Sequence, residues 1–309
     1  MKTCLKTFLL CFALSVVQYN YLCAQTPRSS TNISPAAPSE PILFEPNVIS
    51  DGGVFGFTLS PDGKEAFWVQ SKGKRDTLII LQSHLVNGKW QAPKPAPFSA
   101  HGGKWKDIDP VFSPDGKTIL FQSNRPVESM PARKGFDIWA VKKTPQGWSE
   151  AVHLGNVINT DSSESFASMT NNGNIYFMKS NEKGVSDIYV SKFVKGTYQK
   201  PENVGFPVNT DFRESNPYIS PKEDYLIYFS TDSTGFGDVD LYISFRKNGK
   251  WSTPANLGQP INSALAEFCP FVHQKQQRLY FARQRKEGDR FVENIYWYPF
   301  TASRPTKQK

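Results

Sequence analysis

Ser60-Pro61-Asp62-Gly63 recurs as Ser113-Pro114-Asp115-Gly116, and these two tetrapeptides decide the fold. Proline presets φ for the second position of a tight turn, and glycine accepts the positive φ that closes it. Worn copies follow at Thr170-Asn171-Asn172-Gly173, Ser220-Pro221-Lys222-Glu223 and His273-Gln274-Lys275-Gln276. The first positions are 53, 57, 50 and 53 residues apart, so the chain is five copies of one unit.

Each turn leads into an apolar segment rich in aromatic and β-branched residues: Ala66-Phe67-Trp68-Val69, Ile119-Leu120-Phe121, Ile175-Tyr176-Phe177, Ile227-Tyr228-Phe229 and Leu279-Tyr280-Phe281. Such residues suit a strand buried on both faces. A third strand is marked by Asp137-Ile138-Trp139, Asp187-Ile188-Tyr189, Asp240-Leu241-Tyr242 and Asn294-Ile295-Tyr296, with a looser version at Asp76-Thr77-Leu78-Ile79. Hairpin signals such as Asn87-Gly88 and Asn248-Gly249 come next. A fourth strand then carries an aromatic residue and a proline, as in Trp90-Gln91-Ala92-Pro93 and Trp251-Ser252-Thr253-Pro254. Proline belongs on an edge, where its missing N–H leaves no partner unpaired.

Four strands per unit with an outer edge describe a propeller blade. The fifth copy stops at Tyr298-Pro299-Phe300 without a fourth strand, while Pro41-Ile42-Leu43-Phe44 stands in phase before the first turn and aligns with the segment from Pro254. The expectation is an all-β, five-bladed β-propeller of four-stranded blades over residues 39–300, its ring closed by the N-terminal strand completing the last blade. Closure leaves no sheet in need of a partner.

The flanks bear on compartment. Residues 1–24 read as a secretory signal: Lys2 and Lys6, an apolar run from Phe8 to Val17, and small residues before a cut after Ala24. A lipid anchor at Cys23 is the lesser alternative, because Leu22 stands where lipoprotein processing wants a small residue. Residues 25–38 are a Pro/Ser-rich disordered tether and 301–309 a polar tail. No other run is long and apolar enough for a membrane helix, so the mature chain is expected not to be membrane-embedded. Loss of Lys2 and Lys6 leaves 34 basic residues against 28 acidic ones, a charge of +6. These cations are scattered, so nucleic acid is not an expected partner. Cys4, Cys11 and Cys23 leave with the signal, and Cys269 is expected as a buried, unreactive thiol.

The pattern of Ser-Pro-Asp-Gly, aromatic strand and Asp-Ile-Tyr or Asp-Ile-Trp resembles the TolB-like propeller repeat. Trp251-Ser252-Thr253-Pro254-Ala255-Asn256-Leu257-Gly258 and Val208-Asn209-Thr210 are also similar to repeats of bacterial envelope proteins that carry an OmpA-type peptidoglycan-binding domain. The resemblance implies the propeller fold and a place in the cell envelope. TolB itself is six-bladed with a separate N-terminal domain, and no OmpA-type domain is expected after the propeller, so neither a Tol role nor a grip on peptidoglycan carries over.

Six residues before each turn stand Val54, Asp107, Glu164, Glu214 and Glu267. Fivefold pseudosymmetry would set the four acids, Asp107, Glu164, Glu214 and Glu267, around the mouth of the central channel. As a site they would bind a cation, with calcium the one considered, or the polar groups of a glycan or peptide. As structure they would accept N–H bonds within their own loops, the heavier alternative because a residue repeated in every blade serves the blade first. No cofactor is otherwise expected: His84, His101, His153 and His273 are far apart and form no metal motif.

Departures from a repeat are the other place to look. They fall in the second blade, at Ser99 to Lys106, with His101 and Trp105, and at Arg125 to Phe136, with Arg125 and Arg133. Trp105 could serve as a sugar-stacking platform. The leading expectation is a non-catalytic binding or scaffolding module of the envelope that engages a protein or glycan through one propeller face. The alternative is a glycoside hydrolase using inner-strand carboxylates such as Asp107, Asp109 and Glu164, two of them about 5 Å or about 6.5–9.5 Å apart. Val54 and Gly56 stand where such enzymes have an acid in the first blade.

Overall fold

The computed structural model describes residues 37–127, 135–181 and 183–303. The signal and lipid-anchor positions, most of the tether, the end of the tail and Arg133 lie outside the described residues. Five antiparallel sheets follow one another along the chain. Their innermost strands are Val54–Leu59, Asp107–Phe112, Glu164–Met169, Glu214–Ile219 and Ala266–His273. Second strands begin at Glu65, Thr118, Ile175, Tyr225 and Arg278, and third strands at Thr77, Asp137, Ser186, Asp240 and Arg290. The protein is an all-β five-bladed propeller.

The ring closes as the repeat requires. Ile42–Leu43 is the outer strand of the last blade, with Ile42 opposite Trp297 and Leu43 opposite Tyr296. Phe44 continues the pairing through its N–H to Ile295 O, and its ring packs 5.0 Å from Phe57 and 5.2 Å from Tyr280. One side chain thus ties the first blade to the last.

Blade-to-blade packing is aromatic. Phe67, Phe121, Phe177 and Phe281 on the second strands are fully buried, each burial stabilising by about 1.5–3 kcal/mol. Trp148 of the second blade meets Phe67 of the first at 5.8 Å, and Trp251 of the fourth meets Tyr176 of the third at 6.2 Å. The aromatic residues of the expected fourth strands therefore work largely between blades.

Two details differ from expectation. The outer strand is two short segments: Lys89–Trp90 and Lys94–Pro95 both pair with Thr77–Val86, with a break at Pro93. The second blade breaks its outer strand in the same way across residues 149–151, which include no proline, so the break belongs to the repeat. The fifth turn is also displaced by one residue. Its closing bond runs from Gln277 N to Gln274 O, and Gln277 takes the positive φ that Gly63 and Gly116 take in their turns. Without Pro or Gly, nothing in that segment pins the turn to the consensus position.

Strand alternation sorts the loops. Those from one blade's outer strand to the next inner strand, and from second to third strands, share the face on which the inner strands begin, called here the upper face. The Ser-Pro-Asp-Gly turns and the Asn-Gly hairpins form the lower face. Among the described residues no helix is long and apolar enough to cross a membrane.

Candidate functional site

Asp107, Glu164 and Glu214 open their innermost strands and Glu267 stands second in its own, on the upper face, and all four are buried. Each is closed into its own inter-blade loop. Glu164 accepts the N–H of Thr160 at 2.9 Å and its hydroxyl at 2.5 Å. Glu214 does the same with Thr210 at 3.1 and 2.6 Å, and Glu267 with Ser263 at 3.1 and 2.6 Å. A carboxylate four residues after a hydroxyl residue thus caps the turn between them.

The asparagines five residues before these acids are latches. Asn159, Asn209 and Asn262 each accept a backbone N–H from the third strand and donate back to the carbonyl of the same residue, Ile138, Ile188 and Leu241 respectively. Ser99 and Ser50 accept the equivalent N–H groups of Ile80 and Ile295. A polar side chain therefore meets the third strand at the same place in all five blades.

The second blade departs from this plan and joins predicted residues that sequence had kept apart. Asp107 Oδ2 accepts Ser99 Oγ at 2.7 Å and contacts His101 Nε2 at 2.6 Å, while Oδ1 accepts Arg125 at 2.9 Å. The His101 Nδ1 accepts the Trp105 N–H at 3.4 Å, which leaves the Nε2 proton for Asp107. Ser99 is buried and bonded to the backbone of Ile80, and both it and His101 point at the carboxylate. That places Ser99 as a latch and not as a nucleophile beside a base. The Lys104 ammonium lies 4.5 Å over the Trp105 ring, so one face of the expected stacking platform is already covered. The Arg125 guanidinium stacks 5.1 Å from Phe121 and 5.2 Å from Trp139, which fixes the start of the irregular loop.

The channel axis holds a group that the repeat did not mark as a set. Two residues after each ring position, Gly56, Asp109, Phe166, Asn216 and Cys269 all take positive φ, and each inner strand carries a bulge there. Their chemistry differs from blade to blade, so only the shared spacing could have signalled them. Cys269 Sγ lies 3.7 Å from Asp109 Oδ1 and 3.5 Å from Asn216 Oδ1. A Cβ at Gly56 would stand 2.7 Å from Asp109 Oδ1, so only glycine admits the aspartate here. Burial pushes the Asp109 carboxyl up to about 7, against the opposing pull of Arg75. Burial also pushes the Cys269 thiol well up, which keeps it inert. Near the lower end the channel holds a cavity of about 150 Å³ lined by Leu59, Phe112, Met169, Ile219 and Val272.

Two further features mark the upper face. A crevice of about 910 Å³ opens between the first and last blades, crossed by an ion pair of Arg75 and Glu293. Large apolar side chains also stand out on upper-face loops: Val157, Phe206, Phe212, Phe236 and Phe291. Among the described residues no group of three or more His, Cys, Asp or Glu is placed to hold a metal ion.

No family model matches the sequence, and no curated protein matches it. Solved structures do. A thermostable family-43 glycoside hydrolase aligns over 81% of this chain and 91% of its own at 15% identity, with a TM-score of 0.55. The α-L-arabinofuranosidase PaAbf62A from Podospora anserina aligns over 85% and 95% at 11% identity, with a TM-score of 0.51. A candidate TolB from Agrobacterium tumefaciens aligns over 81% and 91% at 15% identity, with a TM-score of 0.46. For the two glycoside-cleaving structures the likeness establishes a shared propeller fold and, at these identities, nothing of role.

Proposed function

We propose that this chain is an exported, non-catalytic binding module of the bacterial cell envelope that engages a protein partner through its upper face. One observation carries the reading: Phe206, 87% exposed, shares that face with exposed Phe212, Phe236, Phe291 and Val157. Aromatic side chains held in water on well-built loops are the anchors that protein interfaces use. Phe206, Phe212 and Phe236 belong to the loops around the fourth blade, and Phe291 to the long hairpin of the fifth. The export signal read in residues 1–24 and the resemblance to envelope repeats support the compartment.

The hydrolase alternative needs two carboxylates facing one substrate. Glu164, Glu214 and Glu267 are each occupied by a loop hydroxyl and N–H, and Asp107 by Ser99, His101 and Arg125. Asp109 faces a thiol across the buried axis. This disposition favours binding over turnover.

The test pairs activity with capture. The purified protein should release no reducing sugar from arabinan, xylan or peptidoglycan glycan. Phe206→Ser with Phe236→Ser should lose a cross-linked partner that the wild type retains, at unchanged melting temperature. Sugar release that disappears in Glu164→Gln would overturn the proposal.

A further inference from the structure

The residue just before each turn helps to close the lower end of the channel. Leu59, Phe112, Met169, Ile219 and Val272, one from each blade, line the cavity of about 150 Å³ there. All five are apolar; four are buried and Met169 is half-buried. The turn prolines Pro61, Pro114 and Pro221 complete the wall at its mouth, Pro61 exposed and the other two half-buried.

Contacts between the turns hold this mouth in shape. Asn171 donates its N–H to Pro221 O at 2.8 Å, joining the third turn to the fourth. His273 Nε2 lies 3.1 Å from Ser60 O, joining the fifth to the first. A Cβ at Gly116 would stand 2.8 Å from Pro61 Cδ, so the first and second turns touch. The Tyr218 hydroxyl donates to Val272 O at 2.9 Å and ties the fourth blade to the fifth. A rim of proline turns joined in this way is pre-organised, so little is ordered when a ligand enters.

The polar side chains of the wall already hold partners. Ser168 Oγ donates to Pro217 O and Ser113 Oγ to Asp115, both at 2.6 Å. Tyr218 also accepts Gln274 Nε2 at 2.9 Å, and His273 Nδ1 accepts the Gln276 N–H at 3.1 Å. Gln274 and Lys275 stand exposed at the outer edge. A water held inside would need two to four polar partners, whereas an apolar group needs none and gains from burial against carbon.

We propose that this cup binds a small neutral aromatic molecule, one ring in size, at the lower mouth of the channel. An apolar cavity of about 150 Å³ lined by Leu, Ile and Phe is of the size and chemistry that take up benzene. Phe112, Tyr218 and Phe271 all lie in the wall, which favours a ring over an alkyl chain. The site lies on the face opposite the exposed phenylalanines and stands whether or not that face binds a protein.

The experiment is fluorine NMR of fluorobenzene with the full chain, alongside thermal unfolding in benzene. The fluorobenzene line should broaden and shift saturably, with a dissociation constant of about 1 mM. Benzene at about 10 mM should raise the melting temperature by about 3 °C. Met169→Trp and Val272→Phe each put a larger side chain in the wall and should abolish both effects. Met169 is half-buried, so its variant should still fold. Fluorobenzoate should bind at least about tenfold more weakly, because its charge finds no free partner inside. Absence of saturable fluorobenzene binding by the wild type overturns the proposal. So does binding that survives both substitutions unchanged, or a preference for the benzoate.

Discussion

Replacing Asp109 with asparagine should stabilise the propeller more as pH rises. Asp109 sits on the channel axis beside Cys269 and Gly56, and Arg75 and Glu293 are the other charges that act on it. Burial lifts its carboxyl from an ordinary 3.8 to about 7. The folded state therefore keeps a proton that the unfolded chain releases. Between pH 3.8 and about 7 the native protein loses about 1.4 kcal/mol of stability per pH unit from this group, about 4 kcal/mol in all. Below 3.8 both states are protonated and the group is neutral to stability; above about 7 the loss is complete. Asparagine has the same shape and does not titrate. Its extra N–H₂ adds a constant penalty of about 1–3 kcal/mol if unpaired, and that offset does not depend on pH. Other raised carboxyls, Glu214 and Glu267 among them, titrate alike in both proteins and cancel in the difference. The assay is urea unfolding followed by tryptophan fluorescence from pH 4 to pH 8.5. The stability difference between Asp109→Asn and wild type should move by about 4 kcal/mol in favour of the variant across that range. Parallel pH profiles would refute the reasoning, because they would mean that Asp109 ionises freely in the fold.

Other substitutions test the ring itself. Asn209→Ala removes both bonds to Ile188 and strands two buried backbone groups, so the urea midpoint should fall by the equivalent of about 2–4 kcal/mol. Phe44→Ala empties the contact between the first and last blades and should cost about 3–5 kcal/mol, read as a lowered melting temperature. Gly56→Ala combines a positive φ of 58° with a Cβ 2.7 Å from Asp109 Oδ1, so it should destabilise by more than about 1 kcal/mol; an unchanged melt would deny the close approach.

Legibility in the sequence tracked the kind of constraint at each position. Turns that need proline and positive-φ glycine, such as Ser60-Pro61-Asp62-Gly63, announce themselves, and counting them gives five blades. The strand at Ile42–Leu43 was visible because the last copy lacked one. The fifth turn slipped by a residue because Gln274 to Gln277 contain neither Pro nor Gly. The ring acids were legible as a set because all four are carboxylates at one spacing. The axial set was not, because Gly56, Asp109, Phe166, Asn216 and Cys269 share a backbone conformation and no chemistry. His101, Asp107 and Arg125 were each marked for a separate reason, yet they form one cluster. Arg125 reaches Asp107 from beyond Ser123, its cross-strand partner, while the His101 contact depends on how the loop at Gly102 and Gly103 folds back, which no local pattern encodes.

Site-specific photo-crosslinking in cells reads directly which face meets a partner. A photoreactive residue at Phe206, Phe236 or Phe291 should give a discrete adduct with one protein. The same probe at Val86 or Val194, exposed on lower-face hairpins, should give none. Adducts from the lower face alone would contradict the account.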